Sequence, residues 1–201
     1  PCPRSVEIIV GAYGRALKRY PAVRLYAFNP LSNQLTDLVS SSDPEQLSGF
    51  YGYVKSNISK ELKRLHKLPY EVFANKRVHF IPVAPDLASQ ESRFRYVMSQ
   101  GTKEGLVASP RDWDGATGVH QLERDEPLIG WWFDRTAESK ARDRGEVVGR
   151  YDHATPYKVQ LSPLPTWADH PNWRERVTEI IDEIEETCRQ ERGTKRVLGM
   201  K

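Results

Sequence analysis

The stretch LSNQLTDLV, residues 31–39, carries the alternation of a half-buried strand and follows directly on Asn29-Pro30. On its N-terminal side VRLYAF (23–28) has the same strand character, and Asn29-Pro30 marks the break between the two. Further back, in SVEIIVGAYGRALKRY (5–20), Val6, Ile9, Val10, Tyr13, Leu17 and Tyr20 recur at helical spacing. Arg15, Lys18 and Arg19 gather toward the C-terminal end of that helix, where cations suit its dipole, and Pro21 stops it. On the other side, Ser40 to Asp43 followed by Pro44 is a strong helix start, with Asp as cap and Pro in the first turn. A helix to about His66 follows, with Leu47, Phe50, Tyr51, Val54, Ile58, Leu62 and Leu65 as its apolar stripe.

Beyond this centre, KRVHFIPVA (76–84) alternates like a strand, and Ser89 is expected to cap a helix that Gly105 ends. LIGWWFDRT (128–136) and YKVQLSPLP (157–165) look like strands, and a long helix runs from about Asn172 to Arg192. Helices and strands mix without the regular rhythm of a doubly wound sheet, so the fold class is α+β.

The chain has 201 residues, 38% hydrophobic and 28% charged, as in a globular protein with one sizeable core. No run approaches the roughly 18 apolar residues of a membrane span, so no membrane partner is expected. Nothing resembles a signal peptide, and Cys2 and Cys188 lack metal-ligand spacing, so a cytoplasmic protein with free thiols is expected. The sequence opens at Pro1 rather than Met, and an N-terminal strand ahead of the first helix is expected to be missing.

A net charge of +3 does not define a partner, but its distribution is informative. Lys55, Lys60, Lys63, Arg64, Lys67, Lys76 and Arg77 stand against only Glu61 and Glu71 between residues 51 and 77. Lys60, Lys63, Arg64 and Lys67 share a helix face and suit a phosphate backbone, while Tyr51, Tyr53, Phe73 and His79 suit unpaired bases. From composition alone an ordinary solvated helix face is the commoner case. The C-terminal helix is acidic through Glu175, Glu179, Asp182, Glu183, Glu185, Glu186 and Glu191, and is expected to lie away from any DNA. The five histidines are scattered without metal-ligand spacing, and turn or cap roles suit Asp112, Asp114 and Asp134 better than a cation site. There is no P-loop, GxSxG or GxGxxG motif.

Several stretches resemble the REP-associated tyrosine transposases, the single-strand-DNA transposases of the HUH class. They are YVMSQGTKEGLVASPRDWDG (96–115), GFYGYVKSNISKELKRLH (49–66) and AFNPLSNQLTDLV (27–39). GWWFDRTAESKARDRG and ATPYKVQLSPLPTW are similar to the tail of a bacterial branch, and the likeness extends from about residue 5 to 199.

The resemblance implies a ferredoxin-like antiparallel sheet with packed helices over residues 1–115, and an α/β C-terminal extension over 116–201 ending in a long helix. It also implies chemistry in which two histidines on a strand hold a divalent metal and a helix-borne tyrosine attacks a DNA phosphate. The histidine positions fall on Gln34, one weak carbonyl ligand, and Thr36, a poor hydroxyl one, neither of which replaces an imidazole well, and the tyrosine position falls on Ile58, which cannot be a nucleophile. Tyr51 and Tyr53 are the substitute nucleophiles. At 100° per residue Tyr51 shares the face of Ile58 but lies about 10 Å away along the axis, and Tyr53 points about 140° off.

The expectation is therefore a degenerate member that binds structured single-stranded DNA, such as hairpins, through Lys55, Lys60, Lys63, Arg64, Lys67, Lys76 and Arg77, with nicking and rejoining lost. No cofactor is expected, with Mg or Mn required only if the site still works; a homodimer fits the class. The alternatives are an active metal-dependent transposase using Tyr51 or Tyr53 with Gln34 and nearby acids, and a protein-interaction domain working through the acidic helix.

Overall fold

The computed structural model describes residues 2–31, 34–73 and 78–199. Helix α1 spans Pro3–Arg19 and buries Ile8, Val10, Tyr13 and Ala16. It leads through a turn at Pro21 into β1 (Val23–Phe28), which pairs antiparallel with β2 (Asp37–Ser41) across a bulge near Tyr26. Asp43 caps α2 (Pro44–His66), its Oδ1 accepting from the backbone N–H groups of Glu45 and Gln46 at 2.9 and 3.2 Å. Lys67 then closes α2 in the left-handed conformation.

The next helix, α3 (Leu87–Met98), is capped by Asp86, whose side chain accepts from the backbone of Ser89 at 2.8 Å. The expectation that Ser89 is the cap is corrected: Ser89 is already inside the first turn. The helix expected to run on to Gly105 breaks at Ser99, and the short α4 (Gln100–Lys103) follows before Gly105 turns the chain at φ +67°. Helix α5 (Val119–Arg124) precedes β3 (Leu128–Phe133), which pairs antiparallel with β4 (Ala154–Val159) around the intervening α6 (Arg135–Asp143). The acidic helix α7 (Trp173–Arg192) ends the described fold.

The architecture is α+β, with two separate two-stranded antiparallel ladders among the described residues. Two strand expectations are corrected. Residues 34–36 are not strand; Leu31 and Asn29 donate to the carbonyls of Gln34 and Thr36 at 2.9 Å each, a tight connection that delays β2 to Asp37. Residues 78–84 also lack strand structure and lie largely exposed, because alternation without a neighbouring strand to pair with forms no ladder. The remainder of that segment, including Lys76 and Arg77, lies outside the described residues.

One hydrophobic cluster runs from Val10 of α1 through Leu25, Phe28, Phe50, Val54 and Phe94 to Leu161, Leu164, Ile180 and Ile181. It therefore includes side chains from both sides of residue 116. Ser162 donates to the Leu25 carbonyl at 3.0 Å, laying the chain after β4 beside β1.

Helix α1 seats on β3 at a point where two glycines meet. A Cβ at Gly130 would fall 2.2 Å from the Gly11 nitrogen, and one at Gly11 would fall 2.2 Å from the Trp131 carbonyl oxygen. These neighbours are backbone atoms and cannot swing aside. Arg15 reinforces the seat, its guanidinium 3.3 Å from the Trp132 ring centroid and its Nη1 3.2 Å from the Tyr157 hydroxyl. Gly130→Ala is expected to lower unfolding free energy by about 3 kcal/mol or more, read from urea denaturation. Gly52→Ala, on an open helix face, is the matched control and should stabilise by about 0.5–1 kcal/mol.

Candidate nucleic-acid interface

A cleft of about 840 Å³ lies between the start of β2, the middle of α2, the segment 78–83 and α3. It brings Gln34, Thr36 and Asp37 together with Tyr51 and Lys55 from α2 and with Arg93 and Tyr96 from α3. The two positions expected to have lost their histidines and one substitute tyrosine thus share one wall system.

Gln34 reaches α4, its Nε2 donating to Gln100 Oε1 at 2.7 Å, while Gln100 Nε2 donates to the Tyr96 carbonyl at 2.9 Å. Asp37 is the acid on this wall. Tyr13, itself fully buried, donates its hydroxyl to Asp37 Oδ2 at 2.7 Å. Asp37 Oδ1 is closed to bulk solvent and has no hydrogen bond of normal geometry among the described residues. Burial raises the Asp37 carboxyl to about 6, against lesser downward pulls from Tyr13 and from the phenol of Tyr51 beside it.

Tyr51 is a poor nucleophile here. It is 7% exposed, and burial together with the neighbouring Asp37 charge holds its phenol well above the ordinary tyrosine range. Its ring packs edge-on against Phe50 and Phe80, with centroids 5.2 and 5.7 Å away. Tyr53 is not on the cleft; it turns to Tyr20 and Arg19, with ring and guanidinium 6.3 and 5.5 Å away. Ile58 is a core residue, 1% exposed.

Two residues that sequence reasoning passed over stand on the cleft. Tyr96 is 43% exposed, the accessible phenol of the wall, and Arg93 sits over its ring at 5.8 Å. Tyr96 had been read as part of a helical run, and only its spacing of three from Arg93 hinted at a shared face.

The basic residues of α2 do not form one continuous stripe. Lys63 pairs with Glu71 at 2.6 Å, and Arg64 lies 3.7 Å from Glu138 of α6. Lys60 and Lys67 are exposed and make no ion pair among the described residues. Lys55 lies about 140° around the helix from Lys60, on the cleft side, with its Nζ 5.2 Å from the Phe73 ring centroid. Desolvation lowers its pKa.

Among the described residues no three His, Cys, Asp or Glu side chains converge to hold a metal ion. Asp134 caps α6 through the Ala137 backbone at 3.0 Å. Cys2 and Cys188 are unpaired, and no described helix is long and apolar enough to cross a membrane. No family model, curated protein or solved structure matches the chain.

The Asp37 carboxyl makes a pH prediction. Its folded pKa of about 6 lies above the ordinary 3.8, so between those values the folded state holds the proton more tightly than the unfolded state. Stability from this group is therefore fully present below about pH 4 and declines by roughly 3 kcal/mol as pH rises through 6. Asp37→Asn keeps an acceptor for Tyr13 without the buried charge. Urea denaturation at pH 7.5 should show it at least as stable as the parent, with the decline between pH 4 and 6 flattened.

Proposed function

We propose that the chain is a transposase-family DNA-binding protein that holds structured single-stranded DNA, such as a hairpin, and has lost nicking and rejoining. The observation that carries this reading is the cleft itself, in which Lys55 lies beside the Phe73 ring and Arg93 beside the exposed ring of Tyr96. Cations beside accessible rings suit a backbone phosphate and an unstacked base together. Lys60 and Lys67 supply further charge on another side of α2. Lys63 and Arg64 contribute less, since Glu71 and Glu138 offset them.

The ferredoxin-like part of the proposal draws on element order. Helix α1, the β1–β2 ladder and α2 follow one another as helix, strand, strand, helix, which is the middle of a β-α-β-β-α-β unit. Loss of nicking follows from the residues now present. Gln34 is tied to Gln100, Thr36 offers only a hydroxyl, and Asp37 alone is a thin ligand set for magnesium or manganese. The rival reading of an active enzyme gains one specific observation, the accessible Tyr96 phenol on the wall it shares with Gln34.

The reading of α7 as a partner-binding face has less to draw on. Arg176 pairs with Glu91, Glu179 and Glu183, Arg95 with Glu183, and Arg111 with Glu123, Asp182 and Glu185. Much of the acidic charge is thus spent inside the molecule.

The test is a fluorescence-anisotropy titration with a labelled single-stranded hairpin at low and moderate salt, with manganese present and the DNA run on a gel afterwards. Expected are tight, salt-sensitive binding and uncut DNA. In Lys55→Ala/Arg93→Ala the slope of log affinity against log salt should fall by roughly 1.4, for two lost phosphate contacts. Cut DNA that becomes resistant in Tyr96→Phe or Tyr51→Phe would establish the active enzyme instead. Absence of binding at low salt would remove DNA from the account.

A further inference from the structure

The Asp37 carboxylate lies between two tyrosine hydroxyls, those of Tyr13 and Tyr51, and only the first makes a hydrogen bond of normal geometry. Oδ2 accepts from Tyr13 at 2.7 Å, while Oδ1 is buried in the cleft wall without a hydrogen bond of normal geometry. A buried acceptor left in that state costs free energy that a donor from a ligand would recover. Around it the cleft is aromatic and aliphatic, through Tyr51, Phe73, Phe80 and Tyr96, and the cations Lys55 and Arg93 line the same cleft. An occupant that fits this arrangement has a flat apolar body, a hydrogen-bond donor on its edge and a negative charge a short distance away. A nucleotide has all three.

Resting on the reading of the chain as a single-stranded-DNA binder, we propose that the cleft takes one unpaired base and that Asp37 Oδ1 selects bases carrying an exocyclic amino group. The base lies against Tyr51 where Phe80 now packs edge-on, and Arg93 or Lys55 meets the adjoining phosphate. Phe80 is able to yield because it is 53% exposed and sits in a segment without secondary structure. Cytosine, adenine and guanine present an amino donor to the carboxylate. Thymine presents carbonyl oxygens on either side of a single ring N–H, and these repel it. Discrimination therefore arises at an edge and not from base size, and Asp37 is a specificity-determining residue.

Oligo-dC and oligo-dT tails on the same hairpin isolate this edge, because both bases are pyrimidines of similar size and differ chiefly in amino against carbonyl at the same ring position. At about pH 8 the unmodified protein should bind the dC-tailed hairpin about ten- to a hundredfold more tightly than the dT-tailed one, as expected for a hydrogen bond to a charged acceptor. Asp37→Asn, whose amide can donate to the thymine carbonyl, should bring the ratio close to one, with circular dichroism confirming the fold. Equal, tight binding of both tails by the unmodified protein would overturn the base-selection proposal and leave DNA binding standing. Failure to bind either tail would overturn the DNA-binding reading, and this proposal with it.

Discussion

The hydroxyl of Tyr13 on the carboxylate of Asp37 is the contact around which the rest is arranged. Tyr13 is fully buried, packed against Phe28 of β1 at 5.1 Å and Phe50 of α2 at 5.9 Å between ring centroids. Its single polar atom must find an acceptor in that setting, and Asp37 supplies one from the first residue of β2. The bond ties α1 to the first residue of β2. It also places a carboxyl group at the inner wall of the cleft with its other oxygen turned away from water. The raised pKa of Asp37 follows from that placement, and the Asp37 charge adds to burial in holding the phenol of Tyr51 high.

Charge is sorted in a way that the total of +3 hides. Helix α7 carries most of the acids, yet Arg95, Arg111 and Arg176 bind many of them to α3 and to the turn after Ser109. Arg111 is held most firmly, its Nε donating to both oxygens of the nearly buried Glu123 at 3.1 Å. On the far side Arg135 clamps α6 to α2 through Glu61, with Nε 2.9 Å from Oε1. These arginines serve the fold. Cations that no such carboxylate holds, among the described residues, include Arg93 on the cleft and Lys60 and Lys67 beyond it.

Local chemistry made much of the fold legible. The Asp43-Pro44 cap is written in two residues and α2 begins there; the helical spacing of Ile180, Ile181 and Ile184 placed α7, and alternation placed β3, whereas the strand expected over 157–165 is β4 only as far as Val159 and starts earlier, at Ala154. The candidate site was far less legible, because it is made by tertiary contact. Alternation in 78–84 promised a strand, but a ladder needs a partner that the sequence does not display. Alternation in 31–39 set Asp37 on the side opposite Gln34 and Thr36, whereas the tight connection at 34–36 brings all three to one cleft. Tyr96 and Arg93 lie about 60 residues from that wall in sequence, so no motif joined them to it. Lys63 and Arg64 looked available only because Glu71 and Glu138 could not be paired with them from spacing alone.

The most direct test of the cleft as the DNA-binding surface is photo-crosslinking with a single-stranded hairpin carrying 5-iodo-deoxycytidine in its unpaired tail, followed by peptide mapping. The account predicts crosslinks on peptides holding Tyr51, Phe80 or Tyr96, competed away by unlabelled hairpin. Competable crosslinks confined to α6 or α7, with none around the cleft, would contradict it.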